Sequence, residues 1–417
     1  MSELPPEGAL TLVVEWPDEG VPETQTVIDA GEIRAAAARA VEIWPDLETP
    51  APVADGGTSA MWVSIAGPAG LMATTHSHRL DADRDADRYE PRGDWGGMRY
   101  DEGWRDPRLV RARLDAGADP AAGLHDAAAH GSAEVLGELL GRLPDTEADQ
   151  GDGEGFTPLW EAVCHGNVET ARLLVEAGAS PWTPQCAGRS AGGLALTVPA
   201  LAPLFAKLPG AVEPTPEERA LQEEADRLIE VFEGVHTDGL GVAFVAGLDE
   251  EEAIRRLGAD PAAHPVLDLD RHPGPYGTGP GGFDPDDYDE AQRYVGVTGV
   301  PGGCVLIQPL SYGVSTPEVL EPLSLSARAC GIYFNPKGGT FGTTAVDGET
   351  VWEGEVALSP GPEEPAEWWL LRCWDWTSSH GARQLAYACW TAGMRLADSR
   401  PVTGPPRRWV RLEIPEG

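Results

Sequence analysis

A repeating pattern in the middle of the chain restricts the fold more than any other feature of the sequence. Residues 155–181, GFTPLWEAVCHGNVETARLLVEAGASP, have an earlier counterpart in residues 123–140, GLHDAAAHGSAEVLGELL. Ala127 and Ala162 stand 35 positions apart within it, so the register is kept. A period of this length is typical of arrays in which each repeat is one pair of helices stacked on its neighbours. The centre of the chain is therefore predicted to be a short all-α array.

The residue types in this pattern have physical reasons in a helical array. Thr157 is expected to cap the first helix with its hydroxyl, and Pro158 suits the first helical position, where an amide has no partner. Gly166 tolerates the left-handed backbone that ends that helix. The paired leucines at 139–140 and 173–174 are predicted to fill the stack, because no repeat buries its apolar face alone.

The pattern continues on both sides of these two repeats. Residues 106–120, DPRLVRARLDAGADP, supply a second helix and a GADP turn, and residues 188–205 keep the spacing loosely, as a degenerate terminal repeat does. With its TPL start, its helix-ending glycines and its paired leucines, about a quarter of the chain resembles the ankyrin repeat family. Trp160 stands where that family usually has the histidine of TPLH, and no Thr-Pro pair precedes Leu124.

This resemblance implies a protein-binding surface. Ankyrin arrays present a concave face made of turn tips and the exposed sides of the first helices, and acids dominate those positions here. Trp160 and Trp182 are predicted to be desolvated anchors for a partner. The predicted partner-binding residues are Asp119, His125, Asp126, His130, Asp152, Glu154, Trp160, Glu161, His165 and Trp182. The alternative is that these positions are solvated tips without a binding role.

The flanks of the array mix helical and alternating patterns. Residues 1–104 are predicted to form a small α+β domain that opens with a strand at 10–16 and ends in a charged linker from 81 to 104. Residues 105–209 contain the repeats. After a linker rich in proline and acids, residues 217–417 are predicted to form an α+β domain with a mostly antiparallel sheet. The predicted fold class is thus multidomain α+β around a central all-α array.

Within the C-terminal part, strands are predicted at residues 239–247 and 303–308, and the tryptophan-rich run at 368–373 is assigned as a further strand with its rings in the core. The motifs VAFVAGLDEEEAIRRLGA and VGVTGVPGGCVLIQPLSYG, followed by that run, resemble an uncharacterised domain family of actinobacterial proteins. This resemblance implies a bacterial source but no particular activity. The scarcity of lysine, with only Lys207 and Lys337, agrees with a GC-rich genome.

The net charge of −38 and the pI near 4.4 give the chain a strong negative field. Such a field repels nucleic acids and anionic membranes and attracts cationic proteins, so a basic protein partner is predicted. General solubility or adaptation to salt explains the acidity equally well. No apolar run approaches the length of a membrane span, and the acidic N-terminal residues are unlike a secretory signal, so a cytoplasmic location is predicted. The six scattered cysteines are expected to be buried, reduced thiols.

A few residue groups contain the residue types of metal or phosphate sites but lack other parts that such sites need. His76 and His78 alternate on a presumed strand but lack a nearby third ligand, and the acids at 81–87 lack the glycine and glutamate of a calcium loop. The glycine-rich residues 277–288 contain a proline and several acids, which are unsuited to phosphate. We therefore expect no metal and no cofactor.

Two functions follow from these patterns. The favoured one is a non-enzymatic protein-interaction module whose acidic ankyrin face binds a basic partner, and its narrower form is an immunity or antitoxin protein that neutralises a cationic effector. The alternative is an enzyme or small-ligand sensor with its site around Cys304, Tyr312, Asn335 and His380, for which the array is a targeting arm. That alternative requires a single pocket containing these residues.

Overall fold

The chain divides into two compact units, Met1–Leu80 and Asp81–Gly417. The computed structural model describes residues 9–16, 21–29, 92–98, 102–143, 148–268, 292–357, 359–377 and 380–412. Several predicted features lie outside the described residues, namely the helix and strands expected between 32 and 75, the histidines at 76 and 78, the acids at 81–87 and the glycine-rich residues 277–288.

In the first unit, β1 (Ala9–Trp16) and β2 (Val21–Asp29) form an antiparallel pair. Thr11 lies opposite Val27, and the ladder is irregular near the end of β1. The strand predicted at 10–16 is confirmed. The sequence pattern missed β2 because VPETQTVID carries a proline and few apolar residues, so its alternation is weak.

In the described part of the repeats, helices follow the predicted register. After a 3-10 turn at Glu102–Arg105 come α1 (Pro107–Asp115), α2 (Leu124–His130), α3 (Ala133–Leu140), α4 (Pro158–Cys164), α5 (Val168–Glu176), α6 (Ala191–Ala195) and α7 (Ala202–Phe205). Thr157 accepts a hydrogen bond from the amide of Trp160 at 3.3 Å, and Pro158 opens α4. Gly166 has a φ of 61°, as the predicted helix end requires. The short helices α6 and α7 form the degenerate terminal repeat.

The segment just before the repeats packs on them. Met98 and Trp104 are buried, and the rings of Trp95 and Trp104 are 5.1 Å apart. The guanidinium of Arg113 donates hydrogen bonds of 2.8 Å to two backbone oxygens of this segment. The described end of the linker predicted at 81–104 is therefore not a free loop, because its large apolar side chains cover the first repeat.

A seven-stranded antiparallel sheet forms the C-terminal part of the second unit. Its strands are β3 (Gly241–Ala246), β4 (Tyr294–Val300), β5 (Gly303–Gln308), β6 (Arg328–Phe334), β7 (Thr340–Val346), β8 (Glu349–Glu355) and β9 (Arg408–Arg411). They lie in the order β8, β7, β6, β3, β5, β4, β9, and every neighbouring pair is antiparallel. The prediction of a mostly antiparallel sheet is confirmed.

Helices cover both faces of this sheet. They are α8 (Pro216–Phe232), α9 (Glu250–Arg256), α10 (Pro317–Leu323), α11 (Ala366–Leu370), α12 (His380–Thr391) and α13 (Arg400–Thr403), with 3-10 turns at Pro261–Ala263 and Gly313–Ser315. Successive residues of β3 point to opposite faces. Val242 and Phe244 join the core under α8 and α12, whereas Ala243 and Val245 join a second core under α9 and α10. Both faces are thus buried at the centre of the sheet, whereas the edge strand β8 has no buried residue.

The strand predicted at 368–373 is wrong. Trp368 and Trp369 belong to α11, their rings meet edge to face at 5.0 Å, and both are buried. A short continuous apolar run suits a buried strand and a buried helix equally, so its pattern did not distinguish them. The expected core role holds for these two tryptophans and for Trp374, whereas Trp376 is 39% exposed.

The hydrophobic core continues from the repeats into the C-terminal part. A single buried cluster includes Leu159 and Trp160 of α4, Trp369 of α11, Leu385 of α12 and Val305 of the sheet. The repeats and the sheet therefore share one core within the second unit. The boundaries predicted at 1–104, 105–209 and 217–417 stay predictions.

Candidate functional site

The predicted binding residues differ widely in exposure. Asp119, Asp152 and Glu154 are exposed, whereas His125, Asp126, His130, Glu161, His165 and Trp182 are half-buried and Trp160 is buried. Asp119 lies in the turn after α1, where its carboxylate accepts the amide hydrogen of Ala121 at 3.0 Å. The Nε2 atom of His125 lies 3.0 Å from the carbonyl oxygen of Phe156, which ties α2 to the next repeat.

Three of the acids act electrostatically on a fourth, Glu161, and we call Asp126, Asp152, Glu154 and Glu161 the acidic tip surface. The Asp152 carboxylate accepts the backbone N–H groups of Glu154 at 2.9 Å and Phe156 at 3.0 Å. This local bonding is typical of aspartate in a turn, and it fixes the loop that enters α4. No lysine or arginine in the described part of the chain forms an ion pair with these four carboxylates.

The pKa of Glu161 shows how strongly the acids of this surface affect one of their members. Its pKa is raised from 4.5 to about 7, first by burial and then by the negative charges of Asp152, Asp126 and Glu154. His165 lies near it, with Nδ1 3.7 Å from the Glu161 carboxylate, but burial lowers the pKa of His165 and leaves its ring neutral at pH 7. The surface therefore concentrates negative charge without a cation to offset it.

Acids on the outer helices behave differently. Three carboxylates there form an ion pair with an arginine. The pairs are Arg111–Glu138 at 2.6 Å, Arg142–Asp115 at 2.7 Å and Arg172–Glu176 at 3.0 Å. Exposed pairs of this kind contribute little to stability. They neutralise these three carboxylates locally, whereas the acidic tip surface has no such arginine among the described residues.

The chain's own C-terminal part contacts the first-helix side of the array. The amide of Trp376 donates a hydrogen bond of 2.7 Å to the carbonyl oxygen of Cys164. The Trp376 ring stacks on His165, with centroids 5.8 Å apart and planes within 9°, and His130 meets His165 edge to face at 4.6 Å. His165 therefore belongs to an internal contact, although it was predicted to face a partner.

The two predicted tryptophan anchors have structural roles. Trp160 is 1% exposed, stacks on Phe156 at 5.2 Å and meets Trp369 edge to face at 6.3 Å. It is a core residue and not a surface anchor, because the C-terminal part covers it. The Nε1 atom of Trp182 donates to the carbonyl oxygen of Pro209 at 2.8 Å, which holds the terminal repeat in place.

Sequence comparison agrees with this geometry. The family profile described as ankyrin repeats matches residues 106–191 in three copies. Residues 106–191 are an ankyrin repeat array. The match spans about a fifth of the chain, and the resemblance of the C-terminal part to an actinobacterial domain family stays a prediction. No curated protein matches the chain significantly.

The ankyrin array makes this protein a protein-protein interaction module in general terms. None of the helices in the described residues combines the length and apolar content that a bilayer span requires. Across the same residues, no group of three histidine, cysteine, aspartate or glutamate side chains is arranged to hold a metal ion.

The residues of the alternative site do not form one described pocket. The Cys304 thiol donates to the carbonyl oxygen of Leu248 at 3.0 Å inside the second core of the sheet, and burial raises its pKa to about 12. Tyr312 is 56% exposed and lines a cleft whose walls include neither Cys304 nor Asn335. The side chain of His380 lies outside the described part. A buried, protonated thiol at Cys304 is not a nucleophile at neutral pH.

Proposed function

We propose that this protein is a non-enzymatic binding protein whose acidic tip surface captures a basic protein partner. The observation that carries the proposal is the contrast between unpaired and paired acids in one array. Asp126, Asp152, Glu154 and Glu161 have no arginine or lysine beside them among the described residues, whereas outer carboxylates such as Glu138 do. A cationic side chain placed on the acidic tip surface supplies the missing counter-charge.

The charge also suggests how capture proceeds. A surface of one sign steers an oppositely charged partner and accelerates association, and it disfavours nucleic acid and anionic membrane. A bound cation lowers the pKa of Glu161 and releases its proton, so capture strengthens as the pH rises through about 7. The narrower form of the proposal is a bacterial immunity protein, located in the cytoplasm, that neutralises a cationic effector before it acts.

A matched pair of triple variants tests the proposal. The tip variant carries Asp126→Asn, Asp152→Asn and Glu154→Gln. The asparagine at 152 keeps the acceptor oxygen that holds the turn. The outer variant carries the changes Glu134→Gln, Glu138→Gln and Glu176→Gln. Each variant removes three negative charges, so the overall charge of the chain changes equally in both.

The measurement is affinity capture from lysate of the source cell, with bound proteins identified by mass spectrometry. Capture is compared at about 0.1 M and about 1 M salt, where the Debye length falls from about 10 Å to about 3 Å. We expect a basic protein to be retained by the wild type and the outer variant at low salt, and to be lost from the tip variant and at high salt. Equal capture by all three chains, or equal loss from both variants, contradicts the proposal.

A further inference from the structure

A cleft of about 820 Å³ lies where the terminal repeat, α8 and the tryptophan-rich segment meet, and we call it the junction cleft. Ligand pockets in proteins usually have volumes of roughly 300 to 1,000 Å³. The lining residues that matter here are Arg189, Leu221, Gln222, Trp369, Trp374 and Trp390. The cleft is therefore large enough for a small organic molecule and is lined by several aromatic rings.

Trp369 and Arg189 lie together in this wall. Trp369 is 3% exposed, and its Nε1 atom has no hydrogen-bond partner in the described structure. By contrast, Nε1 of Trp368 donates to the carbonyl oxygen of Ala357 at 3.0 Å. The guanidinium of Arg189 lies over the Trp369 ring, 4.8 Å from its centroid. The Nε1 atom of Trp369 is closed off from solvent, so the donor that a ligand in the cleft can reach is the guanidinium of Arg189.

The acids around the cleft are not partners of Arg189. They are Glu213, Glu218, Glu223, Asp226 and Glu367. Asp226 pairs with Arg372 at 2.7 Å, and Glu213 lies 3.8 Å from Arg219. None of the five forms an ion pair with Arg189 within the described residues, and burial lowers the pKa of Arg189. Arg189 thus presents a partly desolvated charge that no neighbouring carboxylate neutralises.

We propose that the junction cleft binds a small organic acid with one carboxylate and an apolar body. The planar guanidinium of Arg189 matches a carboxylate, and it lies over the ring of Trp369, which limits where it can move. The partly exposed side chains of Leu221 and Trp390 receive the apolar body. The surrounding acids repel an anion more strongly the greater its charge, so phosphates and other polyanions are disfavoured more than a monocarboxylate that pairs with Arg189. This site is independent of capture at the acidic tip surface.

Isothermal titration of the full chain with three probes of one shape tests the proposal: 2-naphthoate, neutral 2-naphthamide and cationic 2-naphthylmethylamine. We expect 2-naphthoate to bind at one site, and both other probes to bind at least about 10-fold more weakly, because hydrogen bonds to charged groups are the stronger ones. Arg189→Gln should weaken 2-naphthoate by about 10- to 100-fold and make it equal to the amide. Arg172→Gln removes an exposed arginine of α5 and should change nothing.

A second variant covers the case in which Arg189→Gln does not fold. Arg189→Lys keeps the positive charge but lacks the planar fork of the guanidinium, so it should weaken 2-naphthoate by about 5-fold or more with a thermal midpoint near that of the wild type. Equal binding of 2-naphthoate and 2-naphthamide by the wild type overturns the proposal. So does unchanged 2-naphthoate binding by either cleft variant, or no heat from 2-naphthoate at millimolar concentration.

Discussion

Glu161→Gln should stabilise the protein at neutral and alkaline pH but not in acid. In the folded protein the pKa of Glu161 is raised from 4.5 to about 7. Below pH 4.5 the carboxyl is protonated in the folded and the unfolded chain, and its replacement by an amide changes little. Between pH 4.5 and about 7 the folded state holds a proton that the unfolded chain has released, so the wild type loses stability as the pH rises.

The size of this effect follows from the pKa. A rise from 4.5 to about 7, at about 1.36 kcal/mol for each unit, corresponds to about 3 kcal/mol of lost stability above pH 7. The Glu161 side chain is 25% exposed, so water relieves part of the penalty. We therefore expect the free energy of unfolding of Glu161→Gln to exceed that of the wild type by about 2 to 3 kcal/mol at pH 8 and by almost nothing near pH 4.

Urea unfolding at both pH values measures the difference, with Glu134→Gln as an exposed control on α3. A carbon-13 titration of the glutamate carboxyls gives the pKa directly, because the Glu161 signal is the one that disappears in the variant. A titration midpoint near 4.5 would refute the reasoning. A stabilisation of the same size at both pH values would also refute it, since packing and not charge would then be the cause.

Three further changes test the contacts that hold the second unit together. Gly166→Ala forces alanine into the left-handed region and brings its Cβ into a clash with Cγ2 of Thr377, so it should cost about 2 to 3 kcal/mol in urea unfolding. The cost should be smaller in a Thr377→Ala background, and additive effects of the two changes would contradict the contact. Arg383→Met leaves buried Asp375 unpaired and should cost about 3 to 5 kcal/mol, so a loss below about 1 kcal/mol would count against that pair. Burial raises the pKa of all six thiols, so a disulfide reagent at pH 8 should label the native chain far more slowly than the unfolded one, and one fast cysteine would disprove the burial.

The repeats could be predicted because their signals are local. The hydroxyl of Thr157, the ring of Pro158 and the backbone of Gly166 each act within one helix or turn, and each takes its predicted role. The strand at 303–308 was found for a similar reason, since a continuous apolar run between glycines suits the buried β5. Short-range chemistry thus defines where these elements begin and end.

The exposure of the candidate site could not be predicted in the same way. Trp160 and His165 contact Trp369 and Trp376, which lie more than 200 positions later in the chain. A 34- or 35-residue period defines which side of a helix faces its neighbouring repeats, but it carries no information about a separate segment that covers the remaining side. The junction cleft was missed for the same reason, because Arg189 meets Trp369 only in the folded arrangement.

A three-copy array is close to the minimum for a stable stack, and its end repeats need a covering. Trp104 covers the first repeat, and at the other end Arg372 connects three elements. Its guanidinium pairs with Asp226 of α8 and donates to the carbonyl oxygen of Thr197 in the terminal repeat, while its backbone follows α11. The cover at this end therefore comes from the C-terminal part and not from a polar last repeat. The junction cleft lies among the same three elements, so a ligand there contacts all of them and should stabilise the array together with its cover.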